Sequence, residues 1–248
     1  MKTIYILWLR QVKRYVRSKS RMIGSLAQPL LFLVSLSFGF GPIFQKAGEG
    51  SYINFLVPGI IGMSIIFSAV FSGMEIIWDR QFGFLKETLV APVSRFNIML
   101  GRTFGGATMS TMQGLIVFFI SMFIGFRPTN WFMFPILLLL MFLVALLFTA
   151  FGTMIASLLD DMQGFQLIIN FLVMPLFFLS GAIFPLTGLP KALSIVASLD
   201  PLAYGIDSFR AVLTGVSQFG LHVDVLVLSV ITLFFLSLGS YFFSKIQI

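Results

Sequence analysis

Residues 128–159 read PTNWFMFPILLLLMFLVALLFTAFGTMIASLL, and none of these 32 residues is charged. A helix of about 20 apolar residues spans the hydrocarbon core of a bilayer, so this segment is long enough to cross a membrane once. Five other segments of at least 20 residues are also free of charged side chains. Together they predict an all-α integral membrane protein with six transmembrane helices, within residues 22–45, 50–74, 103–126, 128–159, 162–190 and 225–244.

The composition excludes several classes of protein. Hydrophobic residues make up 58% of the 248 residues and charged residues only 10%, whereas a soluble domain carries about 25% charged residues. This excludes water-soluble enzymes and disordered chains. The chain has no cysteine, which also excludes disulfide scaffolds, thiolate nucleophiles and sulfur-ligated metals.

The distribution of basic residues predicts the orientation. Six crossings place both termini on one side of the membrane, and 12 of the 16 lysines and arginines lie outside the predicted spans on that side. Because cytoplasmic segments are enriched in lysine and arginine, both termini are expected in the cytoplasm. The same rule accounts for the net charge of +7, so that charge does not indicate a nucleic-acid partner.

Residues 1–21 are predicted to form a cytoplasmic amphipathic helix ahead of the six-span domain at 22–248. At about 100° per residue, one face of this helix is apolar and the opposite face is basic. Such a helix is expected to lie flat in the membrane interface, with its arginines beside anionic lipid head groups. The apolar face is Ile4, Leu7, Trp8, Val12 and Tyr15, and the basic face is Arg10, Lys13, Arg14, Arg17 and Arg21.

The connection between the second and third spans, residues 79–95, is predicted to contain a short helix. Asp79 is a suitable N-cap and Pro92 a suitable stop. Phe82, Leu85 and Leu89 follow the i, i+3, i+7 spacing of one apolar face. Such a helix either rests on the bilayer or inserts into a groove of a cytoplasmic partner, and the residue pattern favours neither.

Residues 181–215, after the fifth span, are apolar but interrupted by glycine and proline. Asp200 and Pro201 form a helix-start signal, while Asp207 and Arg210 are spaced to pair on one helix. The segment is predicted to form two short external helices that dip into the outer leaflet before the sixth span. Because non-helical backbone at that depth must be covered by protein or line a cavity, the segment is either an exit gate or a tight structural cap.

The sequence lacks the motifs of common catalytic sites. It has no Gly-x-x-x-x-Gly-Lys-Ser/Thr loop for nucleotide phosphates, no Gly-x-Ser-x-Gly elbow and a single histidine, His222. Glu75, at the end of a predicted span, is expected to reach water or pair with Arg80. The sequence therefore predicts no enzyme active site, no metal site and no cofactor bound by this chain.

Two segments carry a resemblance to a known family. Residues 79–87 read DRQFGFLKE and residues 91–95 read APVSR, while the outer segment contains Ser180-Gly181, Ile183-Phe184-Pro185, Pro201-Leu202-Ala203-Tyr204 and Arg210. With these motifs in order, six spans and a basic N-terminal helix, the chain resembles the type-2 ABC transporter permeases, half-size membrane subunits of drug, lipid or polysaccharide exporters. It departs from the family pattern at Gln81, Phe84 and Lys86, where that pattern has an acid, a threonine and an acid.

The resemblance implies a homodimer in the plasma (inner) membrane of a prokaryote, driven by two separate ATP-binding cassette subunits that hold ATP and Mg. It implies that residues 79–95 dock on an ATPase subunit as a coupling helix through Asp79, Arg80, Phe82, Gly83, Phe84, Leu85, Lys86, Glu87, Pro92 and Arg95. The external gate would then comprise Gly181, Phe184, Pro185, Pro201, Tyr204, Asp207 and Arg210. A translocation path along the first and fifth spans would comprise Pro29, Phe32, Asn170, Phe171, Pro175, Phe177 and Phe178.

The alternative is a secondary transporter or passive lipid scramblase that works alone, driven only by a gradient. An intramembrane enzyme would need buried acids or a nucleophile pair, which the sequence does not offer. The 31 phenylalanines and 13 methionines suit an apolar, adaptable path. They suit lipid-facing helices equally well, so the composition does not identify a substrate.

Overall fold

The computed structural model describes residues 2–46, 51–90, 92–186 and 190–246. Within these ranges the chain forms eleven α-helices, one short 3-10 helix at Trp131–Met133 and no strand. The helices are α1 (Lys2–Arg17), α2 (Lys19–Lys46), α3 (Tyr52–Ser72), α4 (Met74–Gln81), α5 (Phe84–Val90), α6 (Arg95–Ile124), α7 (Phe134–Leu158), α8 (Met162–Leu179), α9 (Lys191–Leu199), α10 (Pro201–Thr214) and α11 (Leu221–Ser244).

Six helical segments in the described part of the chain are long and apolar enough to span a membrane, which confirms the predicted number. The second and third run furthest past the uncharged segments, since the second continues through α4 to Gln81 and the third begins at Arg95. The charged residues in these extensions include Asp79 and Arg102, which are 6% and 5% exposed. Because they are buried within the bundle, they do not end the helices. The spans are Met22–Lys46, Tyr52–Gln81, Arg95–Ile124, Trp131–Leu158, Met162–Leu179 and Leu221–Ser244.

The helix α3 lies at the centre of the bundle, where it contacts α2, α6, α7 and α10. The helix α11 packs on α7 and α6, while α2 and α8 lie at the margin with one face each uncovered. One end of the bundle brings together α1, α4, α5 and the last residues of α11, and it is called the terminal end below. The loop at 181–186 and the helix α10 lie at the opposite end.

The helices α3 and α7 cross at a pair of glycines near the terminal end. A Cβ atom on Gly73 would lie 2.5 Å from the backbone of Gly152, and a Cβ atom on Gly152 would lie 2.5 Å from the carbonyl oxygen of Val70. A larger side chain at either position would force the two backbones apart. Small residues permit this close packing between membrane helices.

The predicted amphipathic N-terminal helix is present as α1, and its apolar face packs on α6. Leu7 and Tyr15 are buried, and the indole Nε1 of Trp8 donates a hydrogen bond to Thr108 Oγ1 at 2.9 Å. The Cβ of Leu7 lies only 2.9 Å from where a Cβ on Gly101 would be. Protein therefore covers much of the face that was expected to rest on lipid.

Candidate functional site

A buried cluster of charged side chains at the terminal end joins three helices. Asp79 on α4 accepts a hydrogen bond from Arg102 Nη2 on α6 at 2.5 Å, and its Oδ2 lies 3.4 Å from Arg10 Nη2 on α1. The side chains of Asp79 and Arg102 are 8% and 4% exposed. Charge pairs attract more strongly where water is excluded, so this cluster fixes α4 against both neighbours.

A second carboxylate extends the cluster by one turn of α4. Glu75 is 7% exposed, and its Oε2 lies 4.0 Å from Arg14 Nη1 on α1. The expectation that Glu75 reaches water or pairs with Arg80 is therefore wrong. Arg80 instead pairs with Asp160 in the turn between α7 and α8, and it also donates to the carbonyl oxygen of Leu159 at 3.2 Å.

The short helix in residues 79–95 begins later than predicted. Asp79 lies inside α4 with its side chain bound to two arginines, so it is not an N-cap. The helix is interrupted at Phe82 and Gly83. Gly83 has φ +79°, a left-handed conformation that favours glycine. The helix α5 starts at Phe84 and ends at Val90, before Pro92.

The predicted apolar face of this helix is also wrong. Leu85 is 1% exposed and belongs to the hydrophobic core. Phe82 precedes α5, in the break, and therefore does not share a helical face with Leu85 and Leu89. Without that break the i, i+3, i+7 spacing would have aligned the three side chains.

Three apolar side chains face outward from this segment. Phe82, Phe84 and Val90 are 65%, 57% and 82% exposed, and we call them the exposed patch. Lys86 and Glu87 are exposed on the same short helix. The segment therefore presents apolar groups bordered by charged ones, as a protein interface has an apolar core inside a polar rim.

The far end of the segment is fixed to the end of α11. Arg95 Nη1 donates hydrogen bonds to the carbonyl oxygens of Ser244 at 2.6 Å and Ile246 at 2.9 Å. A cation at a helix C-terminus also interacts favourably with the helix dipole. The Oγ of Ser94 accepts a hydrogen bond from the amide of Asn97 at 3.3 Å and caps α6. Arg95 is therefore an anchor of the segment to the bundle.

At the opposite end, Arg210 on α10 holds the 181–186 loop against α3. Its Nη2 donates to the carbonyl oxygen of Gly181 at 2.5 Å, and its guanidinium lies 4.0 Å from the centre of the Phe55 ring. Burial lowers the pKa of Arg210 to about 10, an effect that the nearby charge of Asp207 partly opposes. Arg210 is therefore still a cation near neutral pH, and it can keep both contacts.

Asp207 binds the following loop, so the predicted Asp207–Arg210 ion pair does not form. Its Oδ2 accepts hydrogen bonds from Ser217 Oγ and from the amide of Phe219, each at 2.9 Å. The amide of Gln218 donates to Asp207 Oδ1 at 2.8 Å. These donors hold the loop that connects α10 to α11.

The two short helices predicted before the last span are confirmed as α9 and α10. Asp200 caps α10 by accepting a hydrogen bond from the amide of Leu202 at 2.8 Å, and Pro201 occupies the first turn. Burial raises the pKa of Asp200 to about 7, although the Leu202 hydrogen bond acts in the other direction. The hydroxyl of Tyr204 donates to the carbonyl oxygen of Ser198 at 2.8 Å and so joins the two helices.

A pocket of about 560 Å³ opens beside Arg210. Of the predicted gate residues, the structure brings Pro185, Asp207 and Arg210 together around it. Gly181 is buried, whereas Phe184 is 38% exposed and does not line this pocket. In the part of the chain that the structure describes, no group of three or more His, Asp or Glu side chains is placed to hold a metal ion.

The residues predicted along a translocation path do not share one surface. Phe177 is 1% exposed and packs on Phe67 with a centroid distance of 6.5 Å, so it lies inside the chain. On α2, Pro29 is buried at the wall of a cavity between the helices, and Phe32 is half-buried. The exposed face of α8 contains the other four, which are Asn170, Phe171, Pro175 and Phe178.

Sequence reasoning missed both arginines that bind Asp79 in the charged cluster, the buried Arg102 and the half-exposed Arg10. The sequence predicts Arg102 outside the third span and Arg10 beside lipid head groups. A usable signal was present, because Glu75 and Asp79 are one helical turn apart and would face the same side of a helix. Two carboxylates at a span end require cations or water as partners.

The model of the ABC-2 type transporter family matches residues 2–214 of the chain. The chain is 31% identical over 214 residues to the putative transport permease ycf38 of Cyanophora paradoxa. This alignment covers 84% of this chain and 72% of that protein. It is 26% identical over 236 residues to nodulation protein J of Rhizobium leguminosarum bv. viciae, with 93% and 90% covered. It is 28% identical over 218 residues to the inner membrane transport permease YadH of Escherichia coli strain K12, with 86% and 83% covered.

Proposed function

Since the chain belongs to the ABC-2 type transporter family and is a multi-pass membrane transport permease subunit, we propose that it works as the homodimeric path of an ATP-driven exporter. Two separate ATP-binding cassette subunits would hold ATP and Mg and supply the energy. The chain itself contains no phosphate-binding loop. It therefore depends on another polypeptide for nucleotide hydrolysis.

The observation that supports ATPase coupling is the way residues 79–95 combine exposed apolar side chains with fixed ends. The exposed patch stands on a segment whose two ends are fixed to the bundle, by Asp79 at one end and Arg95 at the other. A short helix with outward apolar side chains suits insertion into a groove on a partner. Because both ends are fixed, a displacement of that helix is transmitted to the spans. A loose loop would absorb the same displacement.

The route of such a displacement follows the contacts. The helix α4 is the last part of the second span, Tyr52–Gln81, so motion of α5 acts on the central helix of the bundle. Asp79 transmits it to α1 and α6, and Arg80 transmits it to the turn between α7 and α8. Closure of an ATPase dimer would shift the population of bundle conformations through these contacts.

The proposed orientation places the terminal end in the cytoplasm of a prokaryote, at the plasma membrane. The basic residues of α1 and of the 79–95 segment lie at this end, as the positive-inside rule requires of a cytoplasmic side. A soluble ATPase can reach the exposed patch only from that side. The charge distribution and the access of an ATPase therefore give the same orientation.

Coupling is tested with the full chain reconstituted in nanodiscs together with the ATP-binding cassette ATPase that co-purifies with it. We expect the ATP hydrolysis rate of that ATPase to rise severalfold in the presence of the chain. Transport by the purified chain alone, driven only by a substrate or lipid gradient, would instead establish a secondary transporter or scramblase.

The homodimer is tested by cysteine cross-linking, for which the chain provides a cysteine-free background. We expect Leu167→Cys or Phe171→Cys, on the uncovered face of α8, to form cross-linked dimers in membranes, since both side chains are more than 70% exposed in the single chain. The matched control is Leu233→Cys on α11, which is 65% exposed. Equal cross-linking at α8 and α11 would show random collision and contradict an interface at α8.

A further inference from the structure

An open basic groove of about 820 Å³ lies at the terminal end, where α1 meets α2. Five of its seven lining residues are cations and none is an acid. The first span begins at Met22, directly after the groove, so the groove lies at the membrane surface, where anionic lipids attract basic segments. The five cations are Arg10, Lys13, Arg14, Arg17 and Lys19.

Three of these cations have no anionic partner. Lys13, Arg17 and Lys19 are exposed, and none of them forms an ion pair with an acid among the described residues. The four cations of α1 lie within seven residues, or about 10 Å along the helix, so their charges repel one another. An anion in the groove would relieve this repulsion.

The other two cations are held loosely by the buried carboxylates of α4. Arg10 Nη2 lies 3.4 Å from Asp79 Oδ2, and Arg14 Nη1 lies 4.0 Å from Glu75 Oε2. Both distances exceed the roughly 2.7–2.9 Å of a charge-assisted hydrogen bond. A guanidinium has five N–H donors, and both side chains are nearly half exposed. Each arginine therefore has donors left for an anion in the groove.

The start of α2 forms the rest of the groove. Ser18 and Ser20 line it beside Lys19, and the amide of Met22 donates a hydrogen bond to the carbonyl oxygen of Ser18 at 3.1 Å. The amides of Lys19 and Ser20 precede that bond, so they have no partner within the helix. Amides at a helix N-terminus favour phosphate, and the serine hydroxyls are further donors.

We propose that this groove binds a phosphate group, presented either by an anionic phospholipid of the surrounding leaflet or by a soluble phosphate ester. Guanidinium groups bind phosphate oxygens in a two-point geometry, and the three unpaired cations supply the opposite charge. The phosphate extends a row of alternating charges from Arg102 through Asp79 and Arg10, and it thereby strengthens the attachment of α1 to α4. General attraction of a basic helix to a membrane would produce neither a saturable site nor this effect on the cluster.

The test is native mass spectrometry of the full chain in a nonionic detergent, titrated with phosphatidylglycerol. We expect one saturable lipid per chain. Arg17→Gln combined with Lys19→Gln should weaken its binding about twentyfold, because each surface cation contributes roughly fivefold to the attraction of an anionic head group. Both side chains are exposed and make no ion pair with Asp79 or Glu75, so the variant keeps its fold.

The matched control is Lys2→Gln combined with Lys245→Gln. It removes two exposed lysines from the same end of the bundle but from outside the groove. Binding should weaken less than about twofold, since salt screens exposed charges beyond about 10 Å. Equal losses in the two double variants would reveal an unspecific basic surface and overturn the proposal.

Thermal unfolding in nanodiscs shows whether the phosphate acts on the cluster. Replacement of part of the phosphatidylcholine by phosphatidylglycerol should raise the unfolding midpoint of the unchanged chain by about 3–6 °C, as expected for a ligand that binds only the folded state. The double variant at Arg17 and Lys19 should gain less than half of that rise. The same rise in both proteins would overturn the site.

Competition separates the two sources of phosphate. Displacement of phosphatidylglycerol by inorganic phosphate indicates a soluble ester, and binding that resists inorganic phosphate indicates a lipid head group, so either result supports the site. Equal binding of phosphatidylcholine, whose choline cancels the phosphate charge, or of oleate, which carries a carboxylate, would overturn the proposal. Absence of saturable binding would overturn it as well.

This inference deepens the proposed function by naming a regulator, and it rests on that function only for its effect on ATP hydrolysis. Because Asp79 lies on the proposed route of displacement, phosphatidylglycerol should raise the ATP hydrolysis that depends on the chain. The binding and unfolding measurements need no ATPase. Saturable lipid binding without stimulation of an ATPase would therefore support the site and count against the proposed coupling alone.

Discussion

Asp79→Asn should lower the thermal unfolding midpoint of the purified chain by roughly 6–12 °C, which corresponds to about 3 kcal/mol. The substitution keeps the size of the side chain but removes the negative charge between Arg102 and Arg10. Arg102, with a side chain that is 4% exposed, would then be a buried cation without its closest anion. Removal of one partner from a buried ion pair is far more costly than replacement of both.

The midpoint is measured by the tryptophan fluorescence of the chain in detergent during heating. The matched control is Asp160→Asn, which also removes an aspartate paired with an arginine, but one whose side chain is 88% exposed. Exposed pairs contribute little, so this variant should shift the midpoint by less than about 2 °C. Addition of Arg102→Met to Asp79→Asn should recover much of the loss, since no unpaired cation is then buried. Equal shifts at Asp79 and Asp160 would contradict the buried cluster.

Phe84→Asp should weaken the binding of the chain to its ATPase at least about thirtyfold and remove the ATP hydrolysis that depends on the chain. Phe84 is 57% exposed beside Phe82, so a carboxylate there does not disturb the core. It would have to be desolvated in the partner's groove, where an aromatic anchor is expected. Leu85, 1% exposed in the core, is unsuitable for this test because an aspartate there would unfold the protein.

Affinity is measured with the variant in nanodiscs and the ATPase in solution, and the unfolding midpoint is recorded for each sample. The matched control is Phe132→Asp, since Phe132 is a 93% exposed phenylalanine in another connection, between α6 and α7. This variant should bind and stimulate the ATPase normally. If Phe84→Asp did so as well, the short helix α5 would be a membrane-resting element and the coupling proposal would fail.

The helices of this protein were predictable because their signal is local. Each span is a continuous apolar segment, and burial of a backbone in lipid requires a helix wherever such a segment occurs. The start of α10 was equally accessible, since Asp200 and Pro201 act within one turn. The helix break at Gly83 was not predicted. Without it, the sequence could not show that Phe84 is exposed and Leu85 is buried.

The sequence alone determined that this chain spans a membrane six times, that a short helix lies between the second and third spans, and that two more precede the last. Those conclusions depend on hydropathy and helix-start signals that act within a few residues. Only the tertiary structure decided the partners, such as Asp79 with Arg102 and Arg95 with Ser244. The reason is physical: a charged side chain in a bundle pairs with whatever the packing of the helices brings within reach, and that packing depends on contacts far apart in the chain.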